Sequence, residues 1–183
     1  PKPDAKYSVQ LALWHHAHGM ALAAKGKAAE ARADVAEIQR IGKEVPEDLL
    51  AGLNTGRLVL ELAAKVVEAR IAESEKSADA IKLWEEAVAI EDRLAYNEPA
   101  DWFYPVRHYL GAALLDAGRA KDAEKVYRAD LARNPDNGWA LFGVWKASRG
   151  LLRVDRRAFW TTLKLCALYA IYASVSVGIV MML

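Results

Sequence analysis

The stretch YNEPADWFYPVRHYLGAALLDAGRAKDAEKVYRADLARNPDNGW, Tyr96–Trp139, decides the fold. Asn97-Glu98-Pro99 breaks whatever precedes it, and Pro105 fits the first turn of a helix, where its missing N–H costs nothing. Apolar and small residues then recur at steps of three and four up to Gly118. A second amphipathic run, Lys121 to Arg133, follows the glycine. Asn134-Pro135-Asp136-Asn137-Gly138 is a turn by composition, and a new run begins at Trp139. The stretch therefore reads as one helical hairpin and the start of another.

The same unit recurs. Gly26-Lys27-Ala28-Ala29-Glu30-Ala31 matches Gly118-Arg119-Ala120-Lys121-Asp122-Ala123 in type at nearly every place. In each unit the glycine ends one helix, and the last alanine marks a helix crossing too close for a larger side chain. Working outward, a first helix is expected around Leu11 to Lys25. A second is expected from Lys27 to near Gly42, read as its C-cap. A third spans 57–73, a fourth begins after Ser77, its expected N-cap, and a fifth starts near Asp101. Composition agrees: Ala and Leu are abundant, β-branched residues are sparse before residue 170, and the interior prolines sit at element edges. The expected fold class is all-α, with antiparallel helix pairs stacked over residues 1–150 and an apolar C-terminal helix in 151–183.

These residues carry a resemblance. Arg107-x2-Leu110-Gly111-x2-Leu114, then Ala123-x3-Tyr127, then Pro135, resembles a tetratricopeptide (TPR) repeat, whose signature is W-x2-L-G-x2-Y, A-x3-F and P. His15-x2-His18-Gly19-x2-Leu22 with Ala31-x3-Val35 is a fair second unit. Ala80-x3-Trp84 marks a weak third, and Trp139-x2-Phe142-Gly143 restarts the pattern. Degenerate repeats fall near 8–43, 57–95 and 101–135, with a partial one from 139. Ala31, Ala80 and Ala123 lie 49 and 43 residues apart, beyond the ordinary spacing of about 34, so the linkers are long. The chain is also similar to the C-terminal repeats of bacterial TPR proteins without a settled biochemical role. The resemblance implies a short TPR-like α-solenoid that binds a protein or peptide in a concave groove, without catalytic residues or cofactors.

By that register His16, Met20, His108, Ala112 and Leu115 line the groove. Repeats that clamp a C-terminal carboxylate place Lys and Asn at such positions. Here the pairs are His16 with Met20, His108 with Ala112, and Ala140 with Val144, so that clamp is absent. Trp102, Tyr104 and Arg107 form a second candidate set, because Trp, Tyr and Arg dominate interface hot spots. The structural reading of the same residues is that the aromatics staple the helix entry and Arg107 pairs with Glu98 or Asp101. His15 and His18, three apart on one helical face, are the most metal-like feature, giving a remote reading as a His-based metal site. No cysteine or well-placed aspartate is seen to complete it, so no metal is expected.

Several classes are disfavoured. Formal net charge is +1. Arg153, Arg156, Arg157 and Lys164 against Asp155 leave the tail at +3 and residues 1–150 weakly acidic, which argues against nucleic acid as a partner. One cysteine, Cys166, excludes an intrachain disulfide. No Gly-rich phosphate loop or nucleophile motif is present, and the pairs Glu85-Glu86 and Glu91-Asp92 read as a solvated helix face.

The tail belongs to no repeat. Leu165–Leu183 has 19 residues without a charge, about the length that spans a bilayer. Basic residues precede it and aromatics cluster at its start. Residues 159–183 are thus an expected anchor for a membrane-bound assembly or recruitment protein, with the repeat domain facing the cytoplasm. An apolar cap on the last repeat is the alternative within a folded chain. An abrupt departure near Ser148 is also what a frame error or a fusion would leave. The chain opens at Pro1 without Met, as a processed or partial chain does.

Overall fold

A computed structural model describes residues 1–149 of the chain. The expected apolar helix in 151–183 and the membrane span in 159–183 lie outside the described residues. Among the described residues the structure is mostly helical: α1 (Ser8–Ala24), α2 (Ala28–Glu44), α3 (Gly56–Ser74), α4 (Ala80–Glu91), α5 (Val106–Asp116), α6 (Ala120–Arg133) and α7 (Gly138–Ser148). No helix among them is long and apolar enough to cross a membrane.

The helices pack in chain order. Each touches the next, α1 also reaches α3, and α5 also reaches α7. α3 is the central element. Leu60, Leu62, Ala63, Val66, Val67 and Ala69 are all buried, so this helix is apolar around most of its circumference, as a helix enclosed by neighbours must be. Burying each large side chain contributes about 1.5–3 kcal/mol. Trp84 of α4 is the largest fully buried side chain.

Three turns use one device. Lys27 N–H bonds Leu22 O, Ser77 N–H bonds Ala72 O, and Arg119 N–H bonds Leu114 O, at 2.8–2.9 Å. Together with the bonds of 3.0 Å from residues 26, 76 and 118 to the carbonyls three before them, these satisfy the last carbonyls of α1, α3 and α5. The residue at each apex is left-handed: Gly26 at φ 73°, Gly118 at φ 74° and Lys76 at φ 54°. Glycine takes this conformation freely and lysine does not.

Helix crossing also follows side-chain size. Tyr127 of α6 lies over Gly111 of α5 and Gly143 of α7, and a methyl group at either glycine would overlap its ring. The two glycines let three helices meet around one aromatic.

Several boundaries differ from expectation. Gly42 lies inside α2, which runs to Glu44 and stops where Val45 must adopt extended geometry before Pro46. α5 begins at Val106 and not near Asp101, because 97–105 is committed to side-chain bonds described below. The Ser77 hydroxyl accepts from Asp79 N–H at 3.2 Å in the turn before α4, while the bond to the helix itself comes from the Ser77 carbonyl, which accepts from Ala80 N–H at 3.2 Å. A small hairpin was not anticipated: β1 (Leu50–Ala51) pairs antiparallel with β2 (Asn54–Thr55), Leu50 opposite Thr55 and Ala51 opposite Asn54. Two-residue strands are too short to show alternation in sequence.

Candidate functional site

The aromatic turn 95–105 is built from both ends. Asn54, nearly buried on β2, accepts from Ala95 N–H at 2.8 Å through Oδ1 and donates to Asp101 Oδ2 at 2.7 Å through Nδ2. The same Asp101 oxygen accepts from Leu53 N–H at 2.9 Å, and its other oxygen accepts from Asn97 at 2.7 Å. These donors hold the Asp101 carboxyl below the usual range, the Asn97 bond most strongly. The hairpin thus clasps the turn.

At the far end, Glu91 of α4 accepts the backbone N–H of Val106 at 3.0 and 3.1 Å. It caps α5 from the preceding helix, in place of a local Ser or Asp. Burial raises the Glu91 pKa; the Val106 bond and Arg107 oppose this. Arg107 makes a two-pronged bond to Asp92, 2.7 Å on each side, and Arg133 of α6 reaches the same carboxylate. Arg107 therefore pairs with Asp92, and not with Glu98 or Asp101 as expected. The acids at 91 and 92 are not a free solvated face, because they fix the entry of α5 and join it to α6.

Within this frame the aromatics divide. Trp102 is 8% exposed and meets His16 of α1 edge to face, centroids 5.2 Å apart. Tyr104 lies edge-on to His108 at 5.1 Å and tilted on Tyr109 at 5.0 Å, and Tyr109 stacks on Trp84 at 4.9 Å. Phe103 is 82% exposed and Tyr96 78%. Between this turn, α6 and the start of α7 lies a cleft of about 510 Å³, lined by Tyr96, Trp102, Phe103, Arg107, Arg133 and Asn134 among others.

Of the five groove candidates, only Ala112 is exposed. Met20 and Leu115 are half-buried and pack on the core. His16 Nδ1 donates to Ala63 O at 3.0 Å, which fixes the proton on that nitrogen, since a carbonyl only accepts. Desolvation depresses the His16 pKa, and the carbonyl bond opposes it. His108 is buried, with Nε2 donating to Asp130 Oδ2 at 3.0 Å, while its Nδ1 has no partner among the described residues. The structure brings His16 to Trp102 and His108 to Tyr104, so the histidines of one candidate set pack on the aromatics of the other.

The aspartate not found in sequence exists. Asp34 of α2 accepts from His15 Nδ1 at 2.6 Å and from His18 Nδ1 at 2.7 Å, and Trp14 stacks on His18 with centroids 4.8 Å apart. Its bonds to the histidines are direct, and no group of three or more His, Cys, Asp or Glu able to hold a metal ion is found among the described residues. Sequence reasoning missed Asp34, Asp130, Asn54 and Arg133. A signal existed for the first two. Each interrupts an apolar stripe, Ala31-Asp34-Val35-Ile38 and Ala123-Tyr127-Asp130, and an acid inside such a stripe must find a buried partner. Comparison with protein-family models, curated proteins and solved structures gives no match for this chain.

Proposed function

We propose that the chain is a non-catalytic protein- or peptide-binding module, built as a short TPR-like α-solenoid, with its partner docked in the cleft beside the aromatic turn. One observation carries this reading. Two aromatic side chains, Tyr96 and Phe103, stand exposed at the rim of a 510 Å³ cleft, on a turn pinned by Asn54 and Asp101 at one end and by Glu91 at the other. Apolar surface on a rigid support loses little entropy when a partner binds. The arginines at the back of the cleft are tied to Asp92, so apolar and aromatic partner side chains fit it better than a free carboxylate. The acids near the cleft are each held by structural partners, which supports binding over catalysis.

The test is selection of peptides from a random library on the purified protein, followed by titration. Phe103→Ala should weaken selected peptides roughly tenfold or more, the scale of a hot-spot residue, with an unchanged melting temperature. Equal affinity for the variant would overturn the reading.

A second reading is favoured by the uncharged run Leu165–Leu183: the module is membrane-anchored on the cytoplasmic side and recruits its partner there. Membrane fractionation with and without residues 150–183 tests it. Equal distribution of the two forms would sink the anchor.

A further inference from the structure

A second hollow adjoins the hairpin. It is a groove of about 500 Å³ between the start of α1 and β1, lined by Tyr7, Val9, Leu13, Leu49, Leu50 and Asp101 among others. Its apolar walls are open to solvent. Leu50 is 61% exposed and Tyr7 52%, and Leu53, in the turn between β1 and β2, is 61% exposed. Clustered apolar side chains of this kind mark a contact surface more often than isolated ones do. Asp101 lines this groove and also the cleft beside the aromatic turn, so the two hollows meet at its carboxylate. Gly52 makes the junction possible. Its backbone is left-handed at φ 71°, and a Cβ there would lie 1.8 Å from Asp101 Oδ1, so the carboxylate lies against the hairpin only because that side chain is missing.

The junction is acidic without a counter-charge. Residues 48–56 and 94–106 carry Asp48, Glu98 and Asp101 and, apart from these, no charged side chain. The bases that flank the two segments are engaged elsewhere, Arg57 with Glu47, Arg93 with Glu61 and Arg107 with Asp92. Lys6, at the rim of the groove, lies over the Tyr7 ring at 5.0 Å. Asp101 itself is held by neutral donors, the Leu53 N–H and the side chains of Asn54 and Asn97. They fix its position and leave its charge uncancelled. We propose that the cleft and the groove are two halves of one docking surface joined at Asp101, and that its partner is a peptide segment with a lysine or arginine between apolar residues. The cation gains a charge-assisted bond to a carboxylate already in place. Apolar side chains before and after it reach Leu50 on one side and Phe103 on the other. Apolar contacts then supply the affinity, and the acid at the junction selects the partner. The inference rests on the peptide-binding reading of the cleft and adds to it the second half of the surface and the charge of the partner.

Random-library peptides selected on the purified whole chain test it. Binders should carry a basic residue flanked by apolar ones. Replacing that residue by methionine in a synthetic peptide, which leaves the protein untouched, should weaken binding roughly tenfold, the scale of a hydrogen bond to a charged group. Leu50→Ser should weaken the same peptide several-fold at an unchanged melting temperature, as Phe103→Ala should. Peptides that lose affinity with Phe103→Ala but tolerate both Leu50→Ser and the methionine replacement overturn this proposal and leave the cleft reading standing. Peptides sensitive to Leu50→Ser and indifferent to Phe103→Ala overturn both, as does a library that yields no binder. Self-association of the chain that Leu50→Ser abolishes assigns the groove to a second copy and overturns the proposal as well.

Discussion

The Glu91 carboxylate and the Val106 backbone N–H meet across two helices at 3.0–3.1 Å, so the start of α5 is capped by the end of α4. The capped position follows Pro105, which offers no N–H of its own, and α5 has no side-chain cap from its own N-terminal residue. Removing the carboxylate leaves a part-buried donor unmet. Glu91→Ala should therefore cost about 1–2 kcal/mol, the scale of a lost helix cap, lowering the melting temperature by several degrees.

Glu91→Gln separates charge from hydrogen bonding. The folded-state pKa of Glu91 lies above its ordinary value, chiefly because of burial. A raised carboxyl contributes most below its unfolded pKa of about 4.5, and that contribution is lost as pH rises through the folded value. Gln keeps an acceptor for Val106 without the charge. The stability difference between wild type and Glu91→Gln, followed by urea denaturation, should shift in favour of wild type on acidification toward pH 4.5. A difference flat across that window would contradict the burial argument.

Lys76 occupies the left-handed apex that Gly26 and Gly118 occupy in the other two turns. The backbone bonds are the same at all three, so Lys76 carries conformational strain without an evident gain. Lys76→Gly should stabilise the chain by about 0.5–1 kcal/mol, while Gly26→Ala and Gly118→Ala should each destabilise it by about 1 kcal/mol. A cavity or clash does not complicate the glycine sites, since nothing lies within 4 Å of an added Cβ at either. Chemical denaturation of the three variants settles the sign.

Lys76 also shows what the sequence could and could not convey. Where glycine marked the turn, at 26 and 118, helix ends were legible to within two residues. Where lysine took the same geometry, the weakest unit of the pattern resulted, although the turn itself is equivalent. Gly111, Tyr127 and Gly143 stood in the repeat pattern, but their mutual approach was not read from it, since the close crossings were expected at the alanines. The clasp of Asn54 on Asp101 was not, because it joins residues 47 apart in sequence through a hairpin too short to leave a period. The aromatic turn was legible as a helix entry. Its division into a buried Trp102 and an exposed Phe103 depended on where α1 lies, which only tertiary packing decides.

His16 and Trp102 supply the last prediction. His16 is held neutral by burial, its pKa below the ordinary imidazole value. For a histidine depressed in the folded state, stability is fully present above the unfolded pKa of about 6.5 and is lost as pH falls toward the folded value. The chain should thus weaken on acidification below pH 6.5, and His16→Gln should flatten that part of the profile. Trp102 packs its ring on this imidazole and helps to keep water away. Trp102→Ala should cost about 3–5 kcal/mol, as large aromatic truncations in cores do, and should also flatten the His16-dependent slope by admitting solvent. The double variant should lose less than the two single losses added together, because the residues share one contact. Phe103→Ala, one position along, removes a ring that is 82% exposed and should leave both stability and pH profile unchanged. Strict additivity of the His16 and Trp102 effects, or a matching loss in Phe103→Ala, would show that the turn is not anchored through this pair.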